Sequence, residues 1–406
     1  MNKKTVCVIG LGYIGLPTAA LIASKGFLVS GIDIDKDIVS KINNGEIHII
    51  EDGLKNFVKS AVSSGKLKVF SNIQQSDVYI ICVPTPLQNK DKDMPKPNID
   101  YVLSATKSIA QFIKPGDLII LESTSPVGTT NKVQETLINC GVRLEDVHIA
   151  YCPERVLPGK IITEIVENDR IVGGLSLIST KKVIEFYRSF VSGNIFETDA
   201  KTAEMCKLAE NSFRDLNIAF ANELSIICDD QGINVWNLIK LANKHPRVNI
   251  LQPGTGVGGH CIAVDPWFIV SQNKERTKLI QTARETNNLK TKWVIDKIKS
   301  NVDSHLKNGV KPKIACLGLS FKPNIDDLRE SRALEVVETL SAEGFEVITV
   351  EPNIKSHKNL NILNLFDAIK QADLICLLVK HREFLEPEVK KKLMKSQVLD
   401  FCGALL

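Results

Sequence analysis

The sequence contains no apolar run approaching the ~18 continuous residues that a membrane-crossing helix needs. Its first apolar stretch, up to Ala23, is broken by Gly10, Gly12, Gly15 and Pro17. That excludes a transmembrane span, and the same glycines spoil the faint likeness of Lys3, Lys4 and the following residues to a secretory signal. Nor is there a surplus of one charge. Lys+Arg 51 against Asp+Glu 47 leaves +4, too little for a nucleic-acid binder or a polybasic membrane binder. The densest basic run (Lys390, Lys391, Lys392 and Lys395) reads as a solvated helix face. Ten cysteines are present, but no two have the C-x-x-C spacing of a redox site or zinc knuckle. No metal site is expected. Most of the thiols sit in apolar runs (VCVIG, IICVP, LICLLV), where cysteine acts as a small hydrophobe. The pattern points to a reducing, cytoplasmic compartment.

What is present is an ordinary globular balance, 44% hydrophobic and 24% charged over 406 residues. At roughly 150 residues per domain this implies two or three domains. Short apolar strands at Val6–Ile9, Leu28–Ile32, Val78–Val83, Leu118–Leu121, Val147–Tyr151 and Arg170–Val172 alternate with helical stretches. That alternation predicts a parallel, doubly wound sheet. From Thr202 to about Gly232 the chain lacks proline and reads as one long helix, with further helices at Trp236–Asn243 and from Lys278 to about Lys299. After Val310-Lys311-Pro312 the opening pattern returns, with strands at Lys313–Leu317 and Val347–Val350 around a helix at Ala333–Ala342. The return reads either as a duplicated nucleotide-binding half or as the general likeness of all βαβ units. The expected fold class is α/β: two Rossmann-like, doubly wound parallel-sheet domains, residues 1–200 and 306–406, joined by a helical section, 201–305, that contains the long helix and could pair subunits.

Gly10-Leu11-Gly12-Tyr13-Ile14-Gly15 fits G-x-G-x-x-G, a weak motif alone. Here it follows a strand, opens a helix, and has Asp33 at the end of the next strand, eighteen residues after Gly15. Gly10 makes the tight turn, Gly12 admits the pyrophosphate, Gly15 lets helix and strand pack, and the helix N-terminus faces the anion. Asp33 would accept hydrogen bonds from the ribose hydroxyls and repel a 2′-phosphate, so the expected cofactor is NAD. The turns after later strands, Cys82-Val83-Pro84-Thr85-Pro86 and Glu122-Ser123-Thr124-Ser125, lie where such sheets hold ligands. Thr85 and Thr124 are therefore site hydroxyls or plain helix caps.

One cysteine departs from the apolar setting. In Gly254-Thr255-Gly256-Val257-Gly258-Gly259-His260-Cys261 the thiol follows four glycines, whose backbone N–H groups could cradle an oxyanion. The other reading is a thiol filling a tight turn. Neighbouring side chains diverge in an extended loop, so no Cys–His dyad with His260 is inferred, while Asp265 could orient a hydroxyl or a water. A nucleotide cofactor and a nucleophilic thiol on one chain suggest a four-electron oxidation. An alcohol becomes an aldehyde, the thiol traps it, and a second hydride loss gives a thioester that water cleaves.

The motifs GLGYIGLP, VPTP, STSPVGTT, CPER, KLAENSFRDLNIAFANEL, GVGGHCIAVDP and LGLSFKPNIDDLRES, in this order, resemble the UDP-glucose/GDP-mannose dehydrogenase family. Within it, RVNILQPGTGVGGHCIAVDPWF is most like the UDP-N-acetyl-D-mannosamine 6-dehydrogenases; UDP-glucose enzymes typically have serine at His260 and lysine at Val264. The resemblance implies that Cys261 is the nucleophile and that Lys207, with Asn211 one turn later, stabilises the oxyanion. It implies that Asp265 and Thr124 position a water, and that Glu154 serves thioester hydrolysis. Pro158 stands where UDP-glucose members carry a further glutamate, so a two-glutamate scheme does not carry over directly. The resemblance also implies substrate contacts from Arg155, Lys207, Asn211, Gly258, His260, Phe321 and Lys322, and a cofactor contact from Arg329. The residues alone also allow Arg329 a salt bridge with Asp326 or Asp327. Arg247 matches an arginine that reaches a neighbouring subunit's substrate, which implies a homo-oligomer, at least a dimer. The second α/β half lacks the glycine motif and would hold UDP.

The expected reaction is NAD-dependent oxidation of UDP-N-acetyl-D-mannosamine to the uronate. UDP-N-acetylglucosamine or UDP-glucose would serve the same chemistry, since sequence does not separate epimers. A catalytically silent nucleotide-binding module is the reading from another class.

Overall fold

The computed structural model describes residues 4–49, 51–88, 95–156, 159–306 and 312–406. The chain divides into two compact units: Met1–Ala209 with Trp267–Gln272, and Glu210–Pro266 with Asn273–Leu406.

The first unit is built on an eight-stranded sheet. Its strands are β1 (Thr5–Ile9), β2 (Leu28–Ile32), β3 (Leu67–Phe70), β4 (Val78–Ile81), β7 (Leu118–Leu121), β8 (His148–Tyr151), β9 (Arg170–Gly174) and β10 (Ile195–Asp199). A two-residue pair, β5 (Leu87–Gln88) and β6 (Lys96–Pro97), forms a separate antiparallel ribbon. The spatial order is β10-β9-β8-β7-β4-β1-β2-β3. The strands read as unbroken apolar runs because both faces are covered. Val6, Val8, Val78, Ile80, Leu118 and Ile120 face one core. Cys7, Ile9, Tyr79, Ile81, Ile119 and Leu121 face the other. The doubly wound expectation holds, with one addition. β9 pairs antiparallel with β8, and β10 runs parallel to β9, so this edge of the sheet is mixed. A short apolar run carries no sign of strand direction.

In the second unit β11 (Lys313–Leu317), β12 (Glu346–Val350), β13 (Leu374–Leu377) and β14 (Val398–Asp400) form an all-parallel sheet in the order β12-β11-β13-β14. The alternation recurs. Ile314, Cys316, Leu374 and Cys376 face one core, while Ala315, Leu317, Ile375 and Leu377 face the other.

The helical section comprises Ala200–Asp230, Val235–Ala242, Asp265–Gln272 and Lys278–Leu306. Its long helix was legible because nothing in it breaks a helix; Gly232, with φ of +68°, follows its end. No helix among the described residues is long and apolar enough to cross a membrane.

Candidate active site

In the first unit β1 and β4 are neighbours, and the chain leaves β1 towards β2 on one side and enters β4 on the other. The carboxyl ends of this pair are the topological switch point, where doubly wound sheets bind ligands. The glycine turn lies there. Gly10 has φ of +89°, and a Cβ on it would stand 2.8 Å from the Cys82 carbonyl oxygen. A Cβ on Gly15 would fall on the Gly10 carbonyl oxygen. Gly12 is different: a Cβ there would meet nothing within 4 Å. The protein itself does not require glycine at that position, so the open space suits a ligand's close approach. Ile14, at the N-cap of helix Gly15–Ser24, offers no side-chain acceptor to the first turn, which leaves the helix dipole to an anion. Asp33 directly follows β2, and its Oδ2 accepts from the Leu11 N–H at 3.0 Å while Oδ1 accepts from the Asp35 N–H at 3.0 Å. The carboxylate is thus fixed beside the turn. These residues fit a dinucleotide.

The loops after β4 and β7 are laced together. Thr85 donates to the Thr124 carbonyl at 2.6 Å, and Ser123 to the Val83 carbonyl at 2.6 Å. No motif or spacing points to Glu204, which is fully buried on the long helix. It accepts from the N–H groups of Gly128 (2.6 Å) and Thr130 (2.8 Å) and so caps the helix after the STSPVG loop.

Glu154 follows β8 and is buried. Its Oε2 is 2.6 Å from Arg170 Nη2, its Oε1 accepts from the Arg155 N–H at 2.8 Å, and its carbonyl accepts from Lys207 Nζ at 2.9 Å. The structure therefore brings Lys207 to Glu154 through the main chain. The guanidinium of Arg155 donates to the Asp169 carbonyl. Buried Arg170, which the sequence reading placed only at the start of a strand, lies 3.9 Å from Glu122 and 4.8 Å over the Tyr187 ring. One guanidinium thus serves two buried carboxyls. Burial raises the Glu122 pKa, and its oxygens accept from Tyr187 Oη (2.5 Å) and Cys82 Sγ (3.2 Å). Pro158 lies outside the described residues.

In the second unit Asn211 donates to Asp265 Oδ2 at 2.5 Å, both groups being buried. The Asp265 N–H returns to the Cys261 carbonyl at 2.8 Å, which ties the cysteine turn to the start of helix Asp265–Gln272. Two of the turn's glycines are forced by close packing. A Cβ on Gly258 would strike the Glu330 carbonyl, and one on Gly259 (φ +84°) would stand 2.8 Å from the Phe321 ring. Asn324 and Glu330 hold positive φ, 62° and 53°, in the facing loop, a strain that clusters at functional sites. Asp327 takes Arg329 in a bidentate pair, 2.6 Å at the closest, so Arg329 forms the salt bridge that the sequence offered as its alternative. His260 lies 3.9 Å from the same carboxylate and edge-on to Phe321. Burial, then the charges of Arg329 and Lys322, push its pKa down against the pull of Asp327. Arg247 and Cys261 are exposed.

No disulfide joins the ten cysteines. Burial pushes the thiols of Cys82 and Cys402 up, and those of Cys7 and Cys152 to about 12, which leaves them inert. Cys140, at the end of a helix, is exposed as well, so Cys261 is not alone in leaving the apolar interior. Among the described residues no group of three His, Cys, Asp or Glu could hold a metal ion.

Family profiles of the UDP-glucose/GDP-mannose dehydrogenases match in three parts: NAD binding domain over residues 4–191, central domain over 201–289, UDP binding domain over 315–405. The chain belongs to this family. It is therefore an NAD-dependent dehydrogenase. The UDP-N-acetyl-D-mannosamine dehydrogenase of Campylobacter jejuni is 52% identical over 99% of this chain and 100% of its own, and that of Escherichia coli K12 is 51% identical over 95% of each. Among solved structures, the UDP-D-ManNAc dehydrogenase of Pyrococcus horikoshii is 40% identical with a TM-score of 0.90, covering 99% of this chain and 96% of its own. The native UDP-N-acetyl-mannosamine dehydrogenase of Staphylococcus aureus is 42% identical with a TM-score of 0.87, over 99% and 95%. The fold, family and cofactor read from the sequence agree with these findings.

Proposed function

We propose that the protein oxidises the 6-hydroxymethyl group of UDP-N-acetyl-D-mannosamine to the carboxylate of UDP-N-acetyl-D-mannosaminuronate in the cytoplasm. The observation that carries the reading is Cys261, exposed in a glycine turn that is tied to the buried Asn211–Asp265 pair. The names of the relatives carry the sugar. In this reading residues 1–200 hold NAD, 201–305 carry the catalytic groups and pair subunits, and 306–406 hold UDP.

NAD, when bound, supplies the hydride acceptor, and an alcohol-to-acid oxidation uses two molecules of it per product. Thr124 and Asp265 hold the water that takes the hydroxyl proton. The Cys261 thiolate adds to the aldehyde carbon, and Lys207 and Asn211 stabilise the resulting oxyanion. Loss of hydride from this thiohemiacetal leaves a thioester. Water then breaks the C–S bond, returning the thiol and leaving the acid. Glu154, bound to Arg170, serves that last step by holding Lys207 through its carbonyl. Arg155, Gly258, His260, Phe321 and Lys322 contact the sugar nucleotide, Thr85 and Arg329 the cofactor, and Arg247 the substrate of a second subunit.

A coupled assay should release two NADH per acid; a ratio of one with free aldehyde accumulating overturns the thioester route. Across a panel of UDP-sugars, the highest kcat/KM should fall on UDP-N-acetyl-D-mannosamine. Cys261→Ser should bind NAD and UDP-sugar but lose turnover by about 10³-fold, since a serine hydroxyl does not ionise near neutral pH.

A further inference from the structure

The buried face of the long helix carries polar groups among its apolar ones, and two of them, Asp215 and Asn222, belong to a chain that ends on the cysteine turn. The Gly254 N–H donates to Asn222 Oδ1 at 2.9 Å. Asn222 Nδ2 donates to Asn287 Oδ1 at 2.9 Å, and Asn287 Nδ2 to Asp215 Oδ1 at 2.7 Å. Arg284 closes the chain on the same carboxylate oxygen at 2.5 Å. Asn222, Asn287, Asp215 and Arg284 are each 1% exposed or less.

Both amide orientations follow from the ends of this chain. A backbone N–H can only donate, so Asn222 must present its oxygen to Gly254 and its NH₂ group to Asn287. A carboxylate paired with arginine can only accept, so Asn287 must present its NH₂ group to Asp215. Every bond between Gly254 and Asp215 therefore donates in one direction, towards a buried ion pair, an arrangement in which each bond polarises the next. The adjoining carbonyl is held too: Thr291 donates to the Thr255 carbonyl at 2.8 Å. A Cβ on Gly256 would fall against Thr291 Oγ1. The turn is thus gripped at consecutive backbone groups by side chains from two helices.

We propose that Asn222 is a positioning residue, which through Gly254 sets the register of the turn that carries Cys261. The proposal rests on Cys261 being the nucleophile. Packing alone would not need this chain, because a buried amide that loses one partner strands the other, whereas an apolar pair of equal volume would not.

The test is Asn222→Ala, read on activity and on two quantities that need no turnover. The expected result is a fall in kcat of about 10- to 10²-fold, the scale for a small misplacement of reacting groups, with KM for NAD unchanged. Amide exchange at Gly254 should accelerate at least about 10-fold, while the helix amides from 213 to 221 keep their protection. The rate of Cys261 alkylation by iodoacetamide should change with it. A variant with a lower Tm but normal kcat and normal Gly254 exchange would overturn the proposal and make Asn222 merely structural. If the wild-type protein turns over no UDP-sugar, the proposed function fails, and the exchange and alkylation rates still decide the role of Asn222. Should Asn222→Ala not fold, Thr291→Val removes the neighbouring tether at almost constant volume and is read by the same exchange at 254–259. Unchanged exchange there also overturns the proposal.

Discussion

In the proposed function Asp33 serves both the glycine turn and the cofactor with one carboxylate. Each oxygen already accepts one backbone N–H, from Leu11 or Asp35, and each keeps a lone pair for a ribose hydroxyl. A 2′-phosphate would meet that fixed negative charge. Asp33→Asn should therefore raise KM for NAD and narrow the NAD-over-NADP preference, measured as the ratio of kcat/KM values; an unchanged ratio would show that the carboxylate does not face the ribose. Lys290 is a residue of another kind. It is buried, with Nζ 2.8 Å from Ser225 Oγ and 3.7 Å from the centre of the Trp293 ring. Burial pushes its ammonium down from 10.5 to about 7, against a pull upward from Asp229. Between about pH 7 and 10.5 the unfolded chain holds this proton and the folded chain does not, so folding gains stability as pH rises through that window. Below it the cost of the buried ammonium is complete. Lys290→Met should raise Tm at about pH 6 to 7, and the gain should shrink towards pH 10; a pH-independent difference contradicts this origin. The sequence exposed Asp33 through its distance from the glycines. Lys290, Arg170 and Glu204 gave no such signal, since burial of one charge in a polar helix face has no spacing rule.

The glycine turn separates two reasons for glycine within six residues. At Gly15 the reason lies inside the protein, for a Cβ would coincide with the Gly10 carbonyl oxygen. At Gly12 it lies outside, for nothing stands within 4 Å. Gly15→Ala should cost several kcal/mol and lower Tm sharply, because backbone must move. Gly12→Ala should leave Tm within a few degrees but raise KM for NAD at least about 10-fold, since under the proposed function the methyl would meet only the pyrophosphate. Equal Tm losses for the two would remove the distinction. At this scale the sequence was most legible where period and punctuation agree: β1, β2 and their glycine turn, and the long helix. It was least legible where direction or facing matters. The reversed β9–β10 edge depends on how the chain crosses the sheet, which an apolar run does not encode. Glu351, at the tip of β12, accepts from the Leu319 N–H at 2.7 Å, just as Asp33 accepts from Leu11. That shared feature supports kinship of the two halves. Glu351, though, also takes His381 Nε2 at 3.0 Å; burial pushes its pKa up, but the hydrogen bond and charge of His381 with the Leu319 and Asn353 N–H donors outweigh it and hold the value at about 2, so it is committed to the interior.

Part of the long helix departs from the usual polarity, and that bears on the assembly. Asn211, Asp215, Asn222 and Ser225 are buried, while Phe213, Phe220 and Ile227 are 69%, 49% and 44% exposed. Those three recur at seven-residue spacing, which keeps them on one stripe of the helix. A soluble helix places apolar groups inward; here the hydrogen-bond chain shares the inner face with Leu208, Ala219, Ala221 and Cys228, and an apolar stripe is turned out at a spacing suited to a second copy of the same helix. Arg247 is exposed as well, and under the proposed function it is the group offered to a partner's substrate. Sequence periodicity cannot separate an inward stripe from an outward one, so the stripe was invisible until burial was known. Phe213→Glu combined with Phe220→Glu should halve the sedimentation mass of the protein and leave NAD binding intact, since neither residue lies in the glycine turn. If Arg247 acts across the subunits, the same variant should lose kcat/KM for the UDP-sugar about as far as Arg247→Ala does in the parent. A monomer with full activity would sever Arg247 from the partner's site, and an unchanged mass would place the subunit contact elsewhere.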